Sequence, residues 1–261
     1  MKPLILITND DGVMSPGIRA VAEAIIDFAE VLIVVPASQQ TSMGRSFPKS
    51  DDVGVIDEVE MKIADKKVIA YGVHGSPATS VSHAVLEIAE RNIDFCISGI
   101  NYGENVGLGL SCSGTIGAAL EANTYDIPAI AVSLEASIES QHSSDFMELD
   151  WEQTKRIIQI YTKRILQEGL SNDIAFLNIN VPCDATENTK VEITRQSRQN
   201  YFLFKKPGKR NFAKKLRLQS YIDIDDRTLE DDSDICCLVK RRNISITPIT
   251  WDMTSRSGYC V

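Results

Sequence analysis

Short continuous apolar runs recur along the chain, each followed by polar residues and then by a segment of helical spacing. "PLILIT" (3–8) precedes a helix expected from Pro16 to Ala29, with Ser15 placed to cap it ahead of Pro16. "VLIVVP" (31–36) reads as the next strand, then a helix near 77–91, then "DFCIS" (94–98). A helix from Gly114 to Asn123 and the strand "AIAVSL" (129–134) follow. Asp150 is expected to cap an amphipathic helix over 151–168, in which Ile157, Ile158, Tyr161, Ile165 and Leu166 share one face and which Gly169 ends. "IAFLNINVP" (174–182) and "ISITP" (244–248) complete the strands.

Val/Ile/Leu runs separated by helices indicate an α/β fold with a Rossmann-like, mostly parallel sheet covered on both faces. After Pro182 the residues turn polar, basic and aromatic, which predicts a core over 1–189 and a C-terminal extension over 190–261 whose final strand returns to the core. In that extension "KKPGKR" (205–210) centres a turn signal on Pro207–Gly208 between "NYFLF" and "NFAKKLRLQ", so a long β-hairpin arm is expected over 195–217.

Composition narrows the class. Of 261 residues 43% are hydrophobic and 24% charged, ordinary for a globular enzyme. No apolar run approaches the roughly 18 residues of a membrane span. The start, "MKPLILITNDDG", has one Lys and too short an apolar stretch for a signal peptide, so a cytoplasmic protein without a membrane partner is expected. Cys96, Cys112, Cys183, Cys236, Cys237 and Cys260 form no CxxC pair, and only His74, His83 and His142 could assist a zinc site; the cysteines read as structural thiols. The net charge of −9 argues against a general nucleic-acid binder, but it is unevenly spread. Arg195 to Arg217 holds nine basic and no acidic residues, and Asp223 to Asp234 holds seven acidic residues and one Arg. The acidic run offers the basic arm a partner, within the chain or across a two-fold axis.

The polar motifs follow strand ends. The first strand runs into Asn9–Asp10–Asp11–Gly12, the second into "ASQQTSMGRS" (37–46), and "DFCIS" into "GINYGENVGLGLSCSGT" (99–115). Open α/β sheets bind ligands at that edge. A solvated turn would suit two adjacent aspartates, but the neighbouring loops supply Thr41 or Ser42 hydroxyls and Asn101 and Asn105 amides, with no thiol or imidazole ahead of Cys112. An oxygen-only set fits a hard divalent ion, which also relieves the repulsion between Asp10 and Asp11. "SCSGTIGAALEA" (111–122) enters an Ala-rich helix through Ser113, Gly114 and Thr115, a start that exposes N–H groups to an anion. A dication beside an anion cradle is the equipment for phosphoryl transfer to water.

"ITNDDGVMSPGI", "QQTSMGRS", "SGINYGENVG", "SGTIGAALEA", "AIAVSL", "LNINVP" and "ISITP" occur in the order of the SurE family (stationary-phase survival protein, a 5′/3′-nucleotidase), which the chain resembles over nearly its whole length. The resemblance implies a Rossmann-like core and an extension exchanged between subunits of a homodimer or tetramer. It implies hydrolysis of nucleoside 5′- and 3′-monophosphates with one divalent metal ion per subunit, Mg²⁺ or Mn²⁺, and action on short polyphosphate by some members. Asp10 and Asp11 match the paired catalytic and metal-binding aspartates, and Asn101 the amide ligand. Alignment through "MG" gives Thr41 the hydroxyl-ligand position, with Ser42 as the alternative ligand and otherwise a phosphate-binding residue. Asn9, Asn105, Ser113, Gly114 and Thr115 match phosphate-contacting positions. Where the family commonly reads "GTPADCV" this chain has "GSPATSV" (75–81), so Thr79 replaces an Asp. The rival functions are a nucleotide-binding sensor without catalysis and a nucleic-acid binder using 195–217.

Overall fold

The structure, a computed structural model, describes residues 1–138, 140–142 and 146–255. Cys260 lies outside them, as does the side chain of His142.

The chain runs β1 (Leu4–Thr8), α1 (Pro16–Ile25), β2 (Glu30–Pro36), β3 (Ile56–Ile63), β4 (Lys66–Val73), α2 (Pro77–His83), β5 (Phe95–Tyr102), α3 (Gly114–Asn123), β6 (Ala129–Leu134), α4 (Glu152–Glu168), β7 (Phe176–Val181), β8 (Val191–Ile193), β9 (Phe202–Phe204), β10 (Ser220–Ile222) and β11 (Ile244–Ile249). Nine strands form one sheet in the order β3-β4-β2-β1-β5-β6-β7-β11-β8, and β9 and β10 form a separate two-stranded sheet. The block from β4 to β7 is parallel; β3 on β4 and β11 on β7 are antiparallel.

Alternation along the central strands feeds two cores. Ile5 and Ile7 face the layer of α1 and α4, against Ile18, Val21, Ile25, Ile157 and Ile158. Leu4 and Leu6 face α2 and α3, against Val81, Ala84, Ile116, Ala119 and Ala122. A strand apolar on both faces has no solvent side to offer, hence its unbroken run.

Several element ends differ from expectation. Helix α1 stops at Ile25, and residues 26–29 continue as a turn. Ser15 precedes it but makes no side-chain cap, its hydroxyl buried without a protein partner among the described residues. The helix expected to 91 is α2 plus one wider π turn over Ala84–Ile88. Strand β5 runs past Ser98 to Tyr102, through a register shift between Ser98 and Asn101. Helix α4 has Trp151, not Asp150, at its cap position; Asp150, one residue earlier, accepts the Glu152 N–H through Oδ1 at 2.9 Å. The hairpin β3–β4 and the short β8 were not expected: β3 alternates Val59, Met61 and Ile63 with Glu58, Glu60 and Lys62, the signature of a half-covered edge rather than a buried run.

The extension is built differently from the long hairpin over 195–217. Its antiparallel strands have three residues each, pairing Phe202 with Ile222 and Phe204 with Ser220, so the second strand lies beyond Arg217. The turn falls not at Pro207–Gly208 but at Asn211–Lys214, where the Asn211 side chain accepts the Ala213 N–H and so closes an Asx turn. Residues 195–201 are its root. Arg195 pairs with Asp232 at 2.6 Å and Arg198 with Glu230 at 3.2 Å, so the acidic run finds part of the basic block within the chain. Buried Asp234 accepts the N–H groups of Gly107, Ser197 and Ile235, tying the root to the loop after β5. The cations from Lys205 to Arg217 stay exposed.

Candidate active site at the β1–β5 edge

Strand order reverses at β1, with β2 on one side and β5 on the other, so the carboxyl ends of β1 and β5 flank the switch point of the sheet. Asp10 and Asp11 leave β1 there, and Asn101 lies on β5. Asn9 sets the exit: its amide donates to the Gly12 carbonyl and accepts the Gly12 N–H, both at 3.2 Å. Both polar atoms are thus used to close the turn, and the structure places Asn9 as its brace, away from the cavity.

The two aspartates are 4% and 5% exposed. Burial pushes both carboxyls well above the ordinary range, and the charge of Asp10 pushes Asp11 further. Hydrogen bonds work the other way. Thr115 Oγ1 donates to Asp10 Oδ1 at 2.7 Å, and the N–H groups of Gly114 and Thr115 favour the ionised Asp10. Asp11 Oδ2 accepts the Tyr102 N–H at 3.1 Å, and Gln39 Nε2 stands 3.5 Å from Oδ1. No Lys, Arg or His pairs with either group among the described residues.

The start of α3 therefore serves Asp10. A Cβ at Gly114 would lie 2.7 Å from Asp10 Cβ, so only glycine admits this approach. Thr115 is fully buried with its hydroxyl given to Asp10, which places it behind the carboxylate. Ser113 caps α3 by accepting the Ile116 N–H, leaving its own proton to donate. Asn105 is fixed on the other flank: its Nδ2 donates to Ser133 Oγ at 2.9 Å, and its carbonyl accepts from Asn178 and Asn180. Asn101 Nδ2 donates to the Gly103 carbonyl at 2.6 Å, leaving Oδ1 available. The Gln40 N–H bonds the Asp10 carbonyl at 2.7 Å, which brings the turn carrying Thr41 and Ser42 alongside Asp10.

These groups open onto a cavity of about 1230 Å³. Asp10, Thr41, Asn101, Asn105 and Ser113 line one side, with exposed Ser42 at the rim, and Phe202, Phe204, Lys205 and Arg217 of the extension line the other. Of the expected site residues, Asn9, Asp11, Gly114 and Thr115 are not part of this lining; Asp11 adjoins Asp10, and Gly114 and Thr115 pack against its carboxylate.

The site's family is decided by comparison with known proteins. The family model for survival protein SurE matches residues 5–202. The chain belongs to the SurE family. It is 37% identical over 257 residues to a protein named 5′-nucleotidase SurE from Methanocella arvoryzae, covering 96% of this chain and 93% of that one. A namesake from Methanosarcina mazei is 35% identical over 265 residues, covering 99% and 96%. Among solved structures, the SurE protein from Aquifex aeolicus superposes with a TM-score of 0.72 at 27% identity, over 97% of this chain and 95% of that one.

Within this SurE chain, Thr79 stands at the start of α2, with its N–H on the Ser76 hydroxyl and the two hydroxyls 3.0 Å apart; Ser76 is the cap. A second acidic cluster, Glu135, Cys183 and Asp184, gathers donors that could hold an ion. Arg242 already occupies it, 2.6 Å from each carboxylate. The cysteines among the described residues are free thiols. No helix among the described residues is long and apolar enough to cross a membrane.

Sequence reasoning missed the supports. Gln39, Ser133, Asn178 and Asn180 hold the site residues; they fall within "QQTSMGRS", "AIAVSL" and "LNINVP", where nothing in the sequence marks them as supports. The signal for the last two was polar residues at i and i+2 inside an otherwise apolar strand, "FLNINV".

Proposed function

We propose that this chain is a metal-dependent phosphomonoesterase acting on nucleoside 5′- and 3′-monophosphates, and on short polyphosphate as a secondary substrate. The observation that carries the proposal is a buried pair of adjacent carboxylates without a cationic partner among the described residues, one of which, Asp10, lines a cavity large enough for a nucleotide. The 5′-nucleotidase names of its relatives supply the substrate class.

The donor set fits one hard divalent ion such as Mg²⁺ or Mn²⁺. Asp10, Asp11, the Thr41 hydroxyl and Asn101 Oδ1 are all oxygen donors, and two buried like charges call for a cation. That ion supplies Lewis acidity toward a phosphate oxygen and toward water. The chain's own residues do the rest. Asp10, oriented by Thr115 and the α3 N-terminus, accepts the proton of the attacking water. Ser113 donates its hydroxyl proton to a non-bridging oxygen as charge moves toward the leaving alkoxide. Asn105 lines the same side of the cavity, with Ser42 at its rim. Phe202 and Phe204 offer the nucleoside flat apolar faces.

We assign residues 1–189 to the catalytic core and 190–261 to the extension. Phe204, Phe212, Leu216 and Leu218 are exposed on the short arm, and this supports contact with a second subunit in a homodimer or tetramer. The test of the activity is a phosphate-release screen over nucleoside monophosphates with Mg²⁺, Mn²⁺ or EDTA. Release that needs the metal excludes a non-catalytic sensor; nucleotide binding without turnover would favour it.

A further inference from the structure

The turn that presents Thr41 adopts a backbone that must be imposed on it. Ser42 lies at φ +65° and Gly44 at φ +55°. A non-glycine residue in that region costs about 1–2 kcal/mol, so it persists only where its surroundings over-determine it. Three of the restraints are ordinary: Gln40 N–H to Asp10, Gly44 N–H to the Cys112 carbonyl at 2.9 Å, and Ser76 Oγ to the Ser46 carbonyl.

The fourth is a charged pair between Arg45 and a buried residue on α3. Arg45 Nε donates to Glu121 Oε2 at 2.7 Å, and the Glu121 side chain is 4% exposed. The other oxygen accepts from Ser82 at 2.9 Å, and Tyr125 OH donates to Ser82 at 3.2 Å. A carboxylate desolvated to this degree is held for its partner, because burying it alone would cost several kcal/mol. Trp251 closes the pair from outside: the Arg45 guanidinium lies 5.5 Å from its ring centre, and the indole N–H donates to Asn123 Oδ1. Glu121 and Asn123 belong to the helix whose first turn holds Asp10. Turn and helix touch directly, since a Cβ at Gly117 would lie 2.2 Å from the Gly44 carbonyl oxygen. Helix α3 thus reaches both sides of the site, Asp10 through Thr115 and the turn that carries Thr41 through Arg45.

We infer that the Glu121–Arg45 pair, capped by Trp251, is a positioning device that sets the reach of the Thr41 hydroxyl toward the divalent cation. The inference rests on the proposed role of Thr41, and the experiment separates the two. Mn²⁺ binding is measured by calorimetry without substrate on metal-stripped protein, beside the thermal midpoint of each apo variant. Glu121→Gln, which keeps the shape and the Ser82 contact, weakens Mn²⁺ binding about tenfold, the low end of the range for groups that support a ligand. Arg45→Lys leaves a cation beside Glu121 but not the planar fork, and weakens binding less. Because Glu121 acts through Thr41, the double variant Thr41→Ala/Glu121→Gln binds Mn²⁺ no worse than Thr41→Ala alone.

A lowered midpoint with unchanged Mn²⁺ affinity would make the pair purely structural and overturn the inference, as would additive losses in the double variant. If Glu121→Gln does not fold, Arg45→Lys carries the same test: unchanged affinity there overturns it. Asp11→Asn is the control. Undiminished Mn²⁺ binding by Asp11→Asn sinks the site reading itself; loss there with normal binding by both pair variants sinks only the positioning role.

Discussion

Thr115 illustrates how much a single hydroxyl's direction changes. Read along the chain it belongs to a cradle for phosphate; in the fold it donates to Asp10 at 2.7 Å and has no surface. Thr115→Val should therefore weaken Mn²⁺ binding and turnover together, by about 1–3 kcal/mol, the cost of a lost bond to a charged group. Calorimetry beside steady-state kinetics checks it; a fall in turnover with metal affinity intact would return Thr115 to the phosphate. Thr41→Ala should do more harm than Ser42→Ala, whose side chain is at the exposed rim. The raised carboxyls of Asp10 and Asp11 carry a pH dependence. Both bind protons more tightly in the folded apo protein than in the unfolded chain, so apo stability falls as pH rises from the unfolded value of 3.8 through the folded values. A bound dication removes that penalty. The gain in melting temperature on adding Mn²⁺ should grow from pH 5.5 to pH 8, and a gain independent of pH would count against the pair as ligands. That the aspartates, Asn101 and the turn hydroxyls gather at one sheet edge was legible because each follows a strand end within a few residues. The side-chain bonds of Asn9 to Gly12 and of Thr115 to Asp10 were not legible, since sequence does not say whether a polar atom faces a ligand or its own neighbours.

At the scale of elements, buried strands and the Ala-rich helix α3 were legible for a physical reason: burial on every face leaves an unbroken apolar run. The β3–β4 hairpin was not, because an edge needs only every second residue apolar and its charges mask the pattern. The arm's turn was misplaced because Pro207–Gly208 is a strong local signal, whereas Asn211 closes its turn with its own side chain. Its root depends on distant partners. Asp234 accepts three N–H groups from three segments, so Asp234→Ala leaves buried donors unmet and should cost about 2–3 kcal/mol of stability. Chemical denaturation measures that loss; a change under 0.5 kcal/mol, within about the range of an ordinary surface substitution, would show that the root is held by packing alone.

For the whole molecule, the extension joins two roles that the sequence kept apart. It completes the sheet with β8 and β11, and its arm lines the cavity above Asp10. Replacing 200–214 with a short Gly-Ser linker should lower the oligomeric mass in sedimentation, and also raise KM for nucleotides, because Phe202, Phe204 and Lys205 leave the cavity wall. An unchanged mass would remove the arm from subunit contact, and an unchanged KM would remove it from substrate binding. The central claim, that Asp10 and Asp11 hold a divalent ion for nucleotide hydrolysis, is tested most directly by phosphate release from 5′-AMP. Metal-stripped wild type and Asp11→Asn are each assayed with Mn²⁺ and with EDTA. The account predicts release by wild type with Mn²⁺ and by neither protein otherwise; release by wild type in EDTA, or by Asp11→Asn at the wild-type rate, would contradict it.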